Sequence, residues 1–381
     1  MKVLQARSAR PLEPRDCEPL AAIAPHLVLV FGACQRLLEP GLLDTLKGAL
    51  PNAELVGCST AGEISLHGVS DNQLVLTAVA FERPGLQVAT TDLASMDDSR
   101  AAGQRLGQAL ARDGLHHVLV FGQGVSINGS ALIAGLYDAL SASVQISGGL
   151  AADGGAFTGT LTLSRGGVSH RQLVAVGFDS PTLKVSHGCF HGWKPFGPAR
   201  KVTRATGNWL YELDGQSALQ LYRRYLGEYA RGLPASGLLF PFEMLGRDLM
   251  GHGLIRTILG VDEAAGSLLL AGDIDPQGYL RLMHSNPDAL VQGAETAAET
   301  TVDDVQGVGQ CRAWFFVVNQ TCNKQVFDLC LFKQADRLPA TAWIMVRTDL
   351  LQADMRTIMH LHADDFAFGI VGNCDFLTLR N

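Results

Sequence analysis

Two stretches of this chain, each of about 60 residues, present the same sequence features in the same order, and this duplication constrains the fold more than any other feature. Three apolar stretches define each copy: 27–32, 55–62 and 74–81 in the first, and 118–122, 145–152 and 173–178 in the second. About 25 residues separate the first stretch of each copy from the glycine of the second, which is room for one helix and two connections. Each copy is therefore predicted to form a strand–helix–strand–turn–strand unit. This order indicates an α/β fold, with a mixed α+β arrangement as the alternative.

Glycine-rich turns in both copies form the first candidate site. In an α/β sheet the loops at the carboxyl ends of the strands line the usual ligand crevice, and glycine there lets the backbone approach a bound group. The predicted ligand-binding residues near these turns are Gly57, Cys58, Glu63, Gly148, Gly149 and Asp153. Tight turns without a ligand are the favoured explanation of any single glycine, and capping of the turns is the favoured explanation of the two carboxylates. A nucleophilic Cys58 would need a nearby base, and the sequence identifies none.

Short blocks of the chain resemble FIST-domain proteins, a family of bacterial intracellular sensory proteins. The blocks that resemble the FIST N-terminal module are 55–64, 121–124, 146–153 and 175–178. Those that resemble the FIST C-terminal module are 195–198, 202–208, 211–215, 255–257 and 271–274. The resemblance implies signal transduction through binding of a small ligand.

The resemblance also divides the chain into parts. We expect an N-terminal arm at 1–26, a FIST N-terminal module at 27–179 with repeats at 27–82 and 117–179, and a FIST C-terminal module at 180–381. The tail departs from the family pattern from about residue 311, as a divergent, misaligned or frame-shifted segment.

One segment of the second module combines histidines with aromatic residues. His187 and His191 are four positions apart, so they share a face if the segment is an extended strand, and Trp193 and Phe196 follow. Haem needs an axial ligand such as histidine inside an apolar pocket. The family includes nitric-oxide-sensing haemoproteins of the NosP type that act on a partner histidine kinase. This resemblance implies haem as cofactor, with His187 or His191 as its iron ligand and Trp193 and Phe196 as further haem contacts.

Other interpretations of the same segment stay open. The two histidines could bind a metal ion with a third ligand from elsewhere, and aromatic residues on a strand are also explained by core packing. A sensor without haem is the main alternative, with a small metabolite such as an amino acid bound by backbone groups and by Glu63 or Asp153. If neither histidine of the segment binds haem, the next candidate ligands are His252, His284 and Cys58.

Composition argues against several other classes of protein. The 30 basic and 37 acidic residues give a formal net charge of −7, which disfavours binding to nucleic acid. The apolar runs are shorter than the roughly 20 residues that cross a bilayer, and the N-terminus lacks the apolar core of a signal peptide. We therefore expect a cytoplasmic protein without membrane insertion. None of the common catalytic motifs occurs, so we expect a sensor rather than an enzyme.

Overall fold

The computed structural model describes residues 1–65, 68–285 and 326–334, together with residues 289, 292, 293 and 296. Most of residues 286–325 and all residues after 334, and with them most of the atypical tail from about 311, lie outside the described residues. The side chains of His187, His191 and His252 also lie outside them.

The N-terminal module consists of two units with the same order of elements, except that the first contains one additional short helix, Cys34–Leu37. The first unit comprises β1 (Lys2–Ser8), α1 (Pro14–Ala21), β2 (Leu27–Gly32), α2 (Cys34–Leu37), α3 (Leu42–Ala49), β3 (Glu54–Ser59), β4 (Glu63–Ser65), β5 (Gly68–Ser70) and β6 (Leu74–Ala80). The second comprises β7 (Leu86–Asp92), α4 (Ser99–Leu110), β8 (His117–Gly122), α5 (Gly129–Ala139), β9 (Gln145–Leu150), β10 (Thr162–Ser164), β11 (Gly167–Ser169) and β12 (Gln172–Phe178). A short 3-10 turn, Met96–Asp98, precedes α4.

Strand pairing follows the same plan in both units, which is the structural form of the duplication. β2 and β3 are parallel with Val30 opposite Gly57, and β8 and β9 are parallel with Val120 opposite Gly148. β1 pairs antiparallel with β6, as β7 does with β12. The residues expected to form an arm, 1–26, thus contain a strand and a helix in the places that β7 and α4 occupy in the second unit.

The two units are interlocked by a hairpin that leaves its own sheet. The first sheet has the order β1-β6-β2-β3-β10-β11, and the second has the order β7-β12-β8-β9. The hairpin β10–β11 belongs to the second unit along the chain, yet β10 pairs antiparallel with β3 of the first, with Leu163 opposite Gly57. Separating the units would therefore break backbone hydrogen bonds of a sheet as well as side-chain contacts.

Alternating residues of the apolar strands face two different layers, which explains why these strands read as continuous apolar runs. Between the sheets, Leu29 and Phe31 of β2 pack with Leu119 and Phe121 of β8, and the two phenyl rings meet nearly edge to face at 5.7 Å. On the outer faces, the intervening valines of β2 and β8 pack against the helices. The module is therefore a four-layer α/β arrangement of helices, sheet, sheet and helices.

The C-terminal module is built on a nine-stranded sheet. Its elements, with the preceding strand, are β13 (Leu183–His191), β14 (Lys194–Pro195), β15 (Arg200–Thr206), β16 (Trp209–Leu213), β17 (Gln216–Ser217), α6 (Ala218–Leu226), β18 (Phe242–Leu245), β19 (Gly251–Arg256), β20 (Ile258–Asp262), β21 (Ser267–Leu270), β22 (Tyr279–His284) and β23 (Val326–Gln334). The 3-10 turns Gly227–Gly232 and Ala235–Leu239 follow α6.

Sheet order in this module places distant segments side by side. The main path is β19-β18-β22-β15-β16-β21-β20, with β14 paired to β22 and β17 paired to β16, while β13 pairs antiparallel with β23. Helix α6 begins after the capping Ser217, whose hydroxyl accepts from the Gln220 N–H, and it buries Tyr222 against Phe242 of β18. The expected α/β fold is confirmed.

Candidate functional site

Three of the glycines expected in ligand-binding turns lie inside strands. Gly57 is in β3, and Gly148 and Gly149 are in β9. A Cβ at Gly57 would lie 1.8 Å from the carbonyl oxygen of Val30, and one at Gly148 would lie 1.9 Å from that of Val120. These two glycines are therefore required by the close approach of parallel backbones. Their role in ligand binding, like that of Gly149, remains a prediction.

Cys58 points away from the turn in which its sequence placed it. Its side chain is fully buried in the core between the two sheets, where it packs among Phe31, Val56 and their neighbours. This burial raises the pKa of the thiol far above its ordinary range. A protonated, buried thiol is a poor nucleophile.

A second cysteine, which the sequence did not single out, lies at the carboxyl end of β2. Cys34 begins α2 directly after β2, and its Sγ lies 3.8 Å from the carbonyl oxygen of Ala152 and 3.6 Å from that of Gly159. It thus joins the carboxyl end of a strand in the first unit to a loop of the second. Its place just after an apolar strand was the available sequence signal.

We expect the thiols of Cys17, Cys34 and Cys58 to differ in reactivity. Burial raises the pKa of Cys17 from 9.0 to about 11, which leaves about 100-fold less thiolate at mildly alkaline pH. We expect iodoacetamide to leave Cys17 and Cys58 unmodified in the native protein and to modify half-buried Cys34 slowly, as read by mass spectrometry of peptides. Cys34→Ser serves as the assignment control. Rapid labelling of Cys58 in the folded protein would contradict its placement in the core.

Glu63 holds the turn that follows β3. Its Oε1 accepts a hydrogen bond from the Thr60 hydroxyl at 2.8 Å, and its Oε2 accepts one from the Gln73 backbone N–H at 2.9 Å. The side chain is 2% exposed. Capping, the favoured explanation from the sequence, is therefore what this carboxylate does here.

Asp153 plays the same part in the second unit. Its carboxylate accepts hydrogen bonds from the backbone N–H groups of Phe157, Thr158 and Gly159, at 3.2, 2.8 and 3.2 Å. Phe157 has a φ of 54°, a left-handed conformation that is unfavourable for a bulky residue. The three bonds offset that cost and fix the loop. A ligand-binding role for Glu63 or Asp153 remains a prediction.

The segment expected to bind haem forms the strand β13 and the turn after it. Positions 187 and 191 lie opposite positions 330 and 326 of β23, and positions four apart in a strand share a face. Trp193 is 5% exposed and packs on Ile255 and Met283, whereas Phe196 is 41% exposed and meets the ring of His284 edge to face at 5.5 Å. The structure therefore places the two aromatic residues in different surroundings.

Trp193 also has an unusual polar feature. Its indole Nε1 is buried and has no hydrogen-bond partner within the described part of the chain. Such orphaned buried donors are rare in native proteins.

A polar cluster joins the two modules, and we call Asn128, Ser130, Arg256 and Asp273 the junction cluster. Asn128 caps α5 by accepting from the Ala131 N–H, and its Nδ2 donates to Asp273 Oδ1 at 2.6 Å. Ser130 Oγ accepts from Nη2 of Arg256 at 3.1 Å and from the Asp273 N–H at 3.3 Å.

Arg256 is the centre of the junction cluster. Its residue is only 2% exposed, and its Nε donates to the Asp273 carbonyl oxygen at 2.9 Å. Gly272 lies beside it, where a Cβ would approach Ser130 Oγ to 2.5 Å. No local sequence feature indicated that these residues meet, because Asn128 and Asp273 are 145 positions apart.

Metal-ligating side chains do not cluster in the described part of the chain. Among those residues, no group of three or more His, Cys, Asp and Glu side chains could hold a metal ion.

Membrane insertion through a helix finds no support in the same residues. No helix that the structure describes is both long enough and apolar enough to cross a membrane.

Comparison with known proteins assigns both halves of the chain. A family model described as the FIST N domain matches residues 26–216, and one described as the FIST C domain matches residues 218–326. An uncharacterized protein of Methanocaldococcus jannaschii is 25% identical over 339 residues, which cover 81% of this chain and 62% of that protein. The chain thus spans less than two thirds of that relative's length.

One solved structure also aligns with part of the chain. It is a cyanuric acid hydrolase from A. caulinodans, 15% identical, with 50% of this chain and 71% of that chain covered at a TM-score of 0.26. A likeness at this level supports no conclusion about the fold or the function.

Proposed function

This chain belongs to the family defined by the FIST N and FIST C domains, and on that premise we propose that it is a cytoplasmic sensor whose two modules respond together to one small ligand. The supporting observation is the junction cluster. Arg256 is buried and donates to atoms of both modules, to Ser130 Oγ and to the Asp273 carbonyl. Moving one module relative to the other would remove hydrogen bonds from the buried Arg256 guanidinium, at a large cost in free energy. Because intermediate positions carry this cost, the modules should adopt a few discrete arrangements rather than move continuously.

A ligand shifts such an equilibrium only by binding one arrangement more tightly than the other. In this proposal the ligand binds the C-terminal module or its border, and the junction cluster passes the change to α5 of the N-terminal module. A non-catalytic role is supported by the buried Cys58 thiol and by the carboxylates of Glu63 and Asp153, which are engaged in holding loops. The readout would be the activity of a partner protein.

Haem is the specific ligand that one observation favours. β13 is extended over both 187 and 191, so the two histidine positions share a face, and the buried indole of Trp193 follows two residues later. Bound haem would supply an iron that binds nitric oxide, held by His187 or His191, and the regulated partner would be a sensor histidine kinase. A small metabolite such as an amino acid, bound without haem, is the alternative.

The test is a comparison of ligands on the purified protein. With haem supplied during expression, we expect a Soret band that His187→Ala or His191→Ala removes or shifts, whereas His170→Ala in the N-terminal module leaves it unchanged. The ferrous form should bind nitric oxide and alter autophosphorylation of the kinase. Uptake of no haem by the wild type would contradict the haem assignment.

Thermal stability tests the alternative, a small metabolite bound without haem. A metabolite present at 100 times its dissociation constant should stabilise the fold by about 2.7 kcal/mol, visible as a raised melting temperature. If neither haem nor any of a panel of amino acids at millimolar concentration changes the melting temperature, the sensor proposal itself fails.

A further inference from the structure

We propose that Trp193 and Arg281 form a subsite for the carboxylate of a ligand, on the face of the nine-stranded sheet that Ile255 and Met283 line. This inference rests on the proposed function and specifies where and how the ligand is held. Its starting point is the buried Nε1–H of Trp193, which has no acceptor in the described part of the chain. An indole N–H can only donate, so its partner must present an acceptor atom.

The position of Trp193 is fixed from both sides. The Gly192 carbonyl before it accepts a hydrogen bond from the Ser285 hydroxyl at 2.6 Å. After it, Lys194 and Pro195 pair with His284 and Met283 in β22. The backbone on both sides of Trp193 is therefore fixed, and packing on Ile255 and Met283 holds the buried indole.

Strand register places a charged pair on the same face as Trp193. Glu243 of β18 lies opposite both Ile255 of β19 and Arg281 of β22, and Met283 follows Arg281 by two positions. Residues directly opposite in antiparallel strands share a face, as do residues two apart. Since Trp193 packs on Ile255 and Met283, the indole lies on the face that presents Glu243 and Arg281.

Arg281 retains donor capacity for a ligand. Its Nε and Nη2 both donate to one oxygen of Glu243, Oε2, at 3.1 and 2.7 Å. Its Nη1 has no hydrogen bond to the residues that the structure describes, and the side chain is 30% exposed. A guanidinium with a free N–H binds carboxylate oxygens well. The indole N–H and the guanidinium thus favour an anionic oxygen, and Ile255 and Met283 favour an apolar body attached to it.

Two kinds of ligand carry a carboxylate on an apolar body: a porphyrin, through its propionate, and a free small carboxylic acid. Both place a carboxylate oxygen on the indole N–H, and they differ in the size of the apolar body. A small and a large carboxylate probe therefore separate them.

The experiment follows the indole N–H directly. Protein with ¹⁵N-labelled tryptophan gives one indole signal for each of its four tryptophans, and Trp193→Phe identifies that of Trp193. Isovalerate and zinc protoporphyrin are the two probes, and zinc protoporphyrin dimethyl ester, which lacks free carboxylates, is the matched control. We expect a saturable downfield shift of the Trp193 signal with one probe, and none with the ester.

Variants then test the two donors separately. Trp193→Phe and Arg281→Lys should each weaken binding of the effective probe about ten-fold, by loss of one hydrogen bond to a charged group, whereas Trp209→Phe in β16 should leave it unchanged. If zinc protoporphyrin shifts the Trp193 signal and isovalerate does not, the ligand at the subsite is a porphyrin propionate. If only isovalerate shifts the signal, the ligand is a small carboxylic acid.

Other outcomes overturn the subsite. If the melting temperature responds to haem or a metabolite while the Trp193 signal stays fixed and Trp193→Phe binds normally, the sensor role stands and this subsite is wrong. If the indole signal is already hydrogen-bonded and neither probe changes it, the acceptor is a buried water only. If neither probe binds, and the melting temperature responds neither to haem nor to the amino-acid panel, both proposals fail.

Discussion

Replacing Gly57 by alanine should destabilise the protein by at least about 3 kcal/mol, a large effect for one methyl group. The added Cβ would lie 1.8 Å from the Val30 carbonyl oxygen and 2.7 Å from its carbonyl carbon. Both atoms are backbone, so no side-chain rotation relieves the overlap, and β2 and β3 must separate. β10 pairs with β3 on its other side, at Leu163, so the strand has no open edge toward which to move.

Urea unfolding of the wild type and the variant measures this effect. Gly48→Ala is the matched control, because Gly48 lies in α3 and a Cβ there meets nothing within 4 Å. Alanine exceeds glycine in helix propensity, so the control should gain about 0.5–1 kcal/mol. A Gly57→Ala protein as stable as the wild type would mean that β2 and β3 do not approach as described.

Exchanging the charges of the junction cluster should separate its contribution from that of helix capping. In Asn128→Asp the new carboxylate can still cap α5, since aspartate caps as well as asparagine does. It would, however, face the carboxylate of Asp273, which now accepts from Asn128 Nδ2 at 2.6 Å. We expect a loss of about 1–3 kcal/mol from the missing hydrogen bond and from repulsion at a position only 8% exposed in the wild type.

The double variant Asn128→Asp with Asp273→Asn provides the control. It restores one donor and one acceptor in reversed order, so stability should return to within about 0.5 kcal/mol of the wild type. In the ligand titrations, the single variant should weaken coupling between the modules and the double variant should restore it. Equal losses in the single and double variants would show that residues 128 and 273 do not interact.

Local sequence was sufficient for the central strands and helices of the duplicated units, although it did not indicate β1 and α1 or the hairpin β10–β11. The runs 27–32 and 118–122 are β2 and β8, and the segments between the predicted strands contain α3 and α5. These elements follow from apolar periodicity and glycine placement within about 15 residues, a range over which each segment's own side chains decide its conformation. The resemblance of short blocks to FIST-domain proteins was also sufficient to identify the family.

The candidate site was less accessible to sequence reasoning. Trp193 is among the residues that the aromatic segment indicates, and its buried indole N–H has no partner in the described part of the chain. Its role in ligand binding remains a prediction. Gly57 and Cys58, by contrast, were expected in a turn, because a glycine after an apolar run usually ends a strand. Here the strand continues through them, since the parallel partner β2 comes so close that only glycine fits opposite Val30.

What the sequence determined by itself is the duplication, the order of its elements and the family. Tertiary structure alone decided that β10 joins the sheet of the other unit and that Asn128 meets Asp273 across 145 positions. The physical reason is the range of the interactions. Periodicity records which face of a segment is buried, whereas hydrogen bonds between remote segments depend on how whole sheets pack, and no local pattern records that.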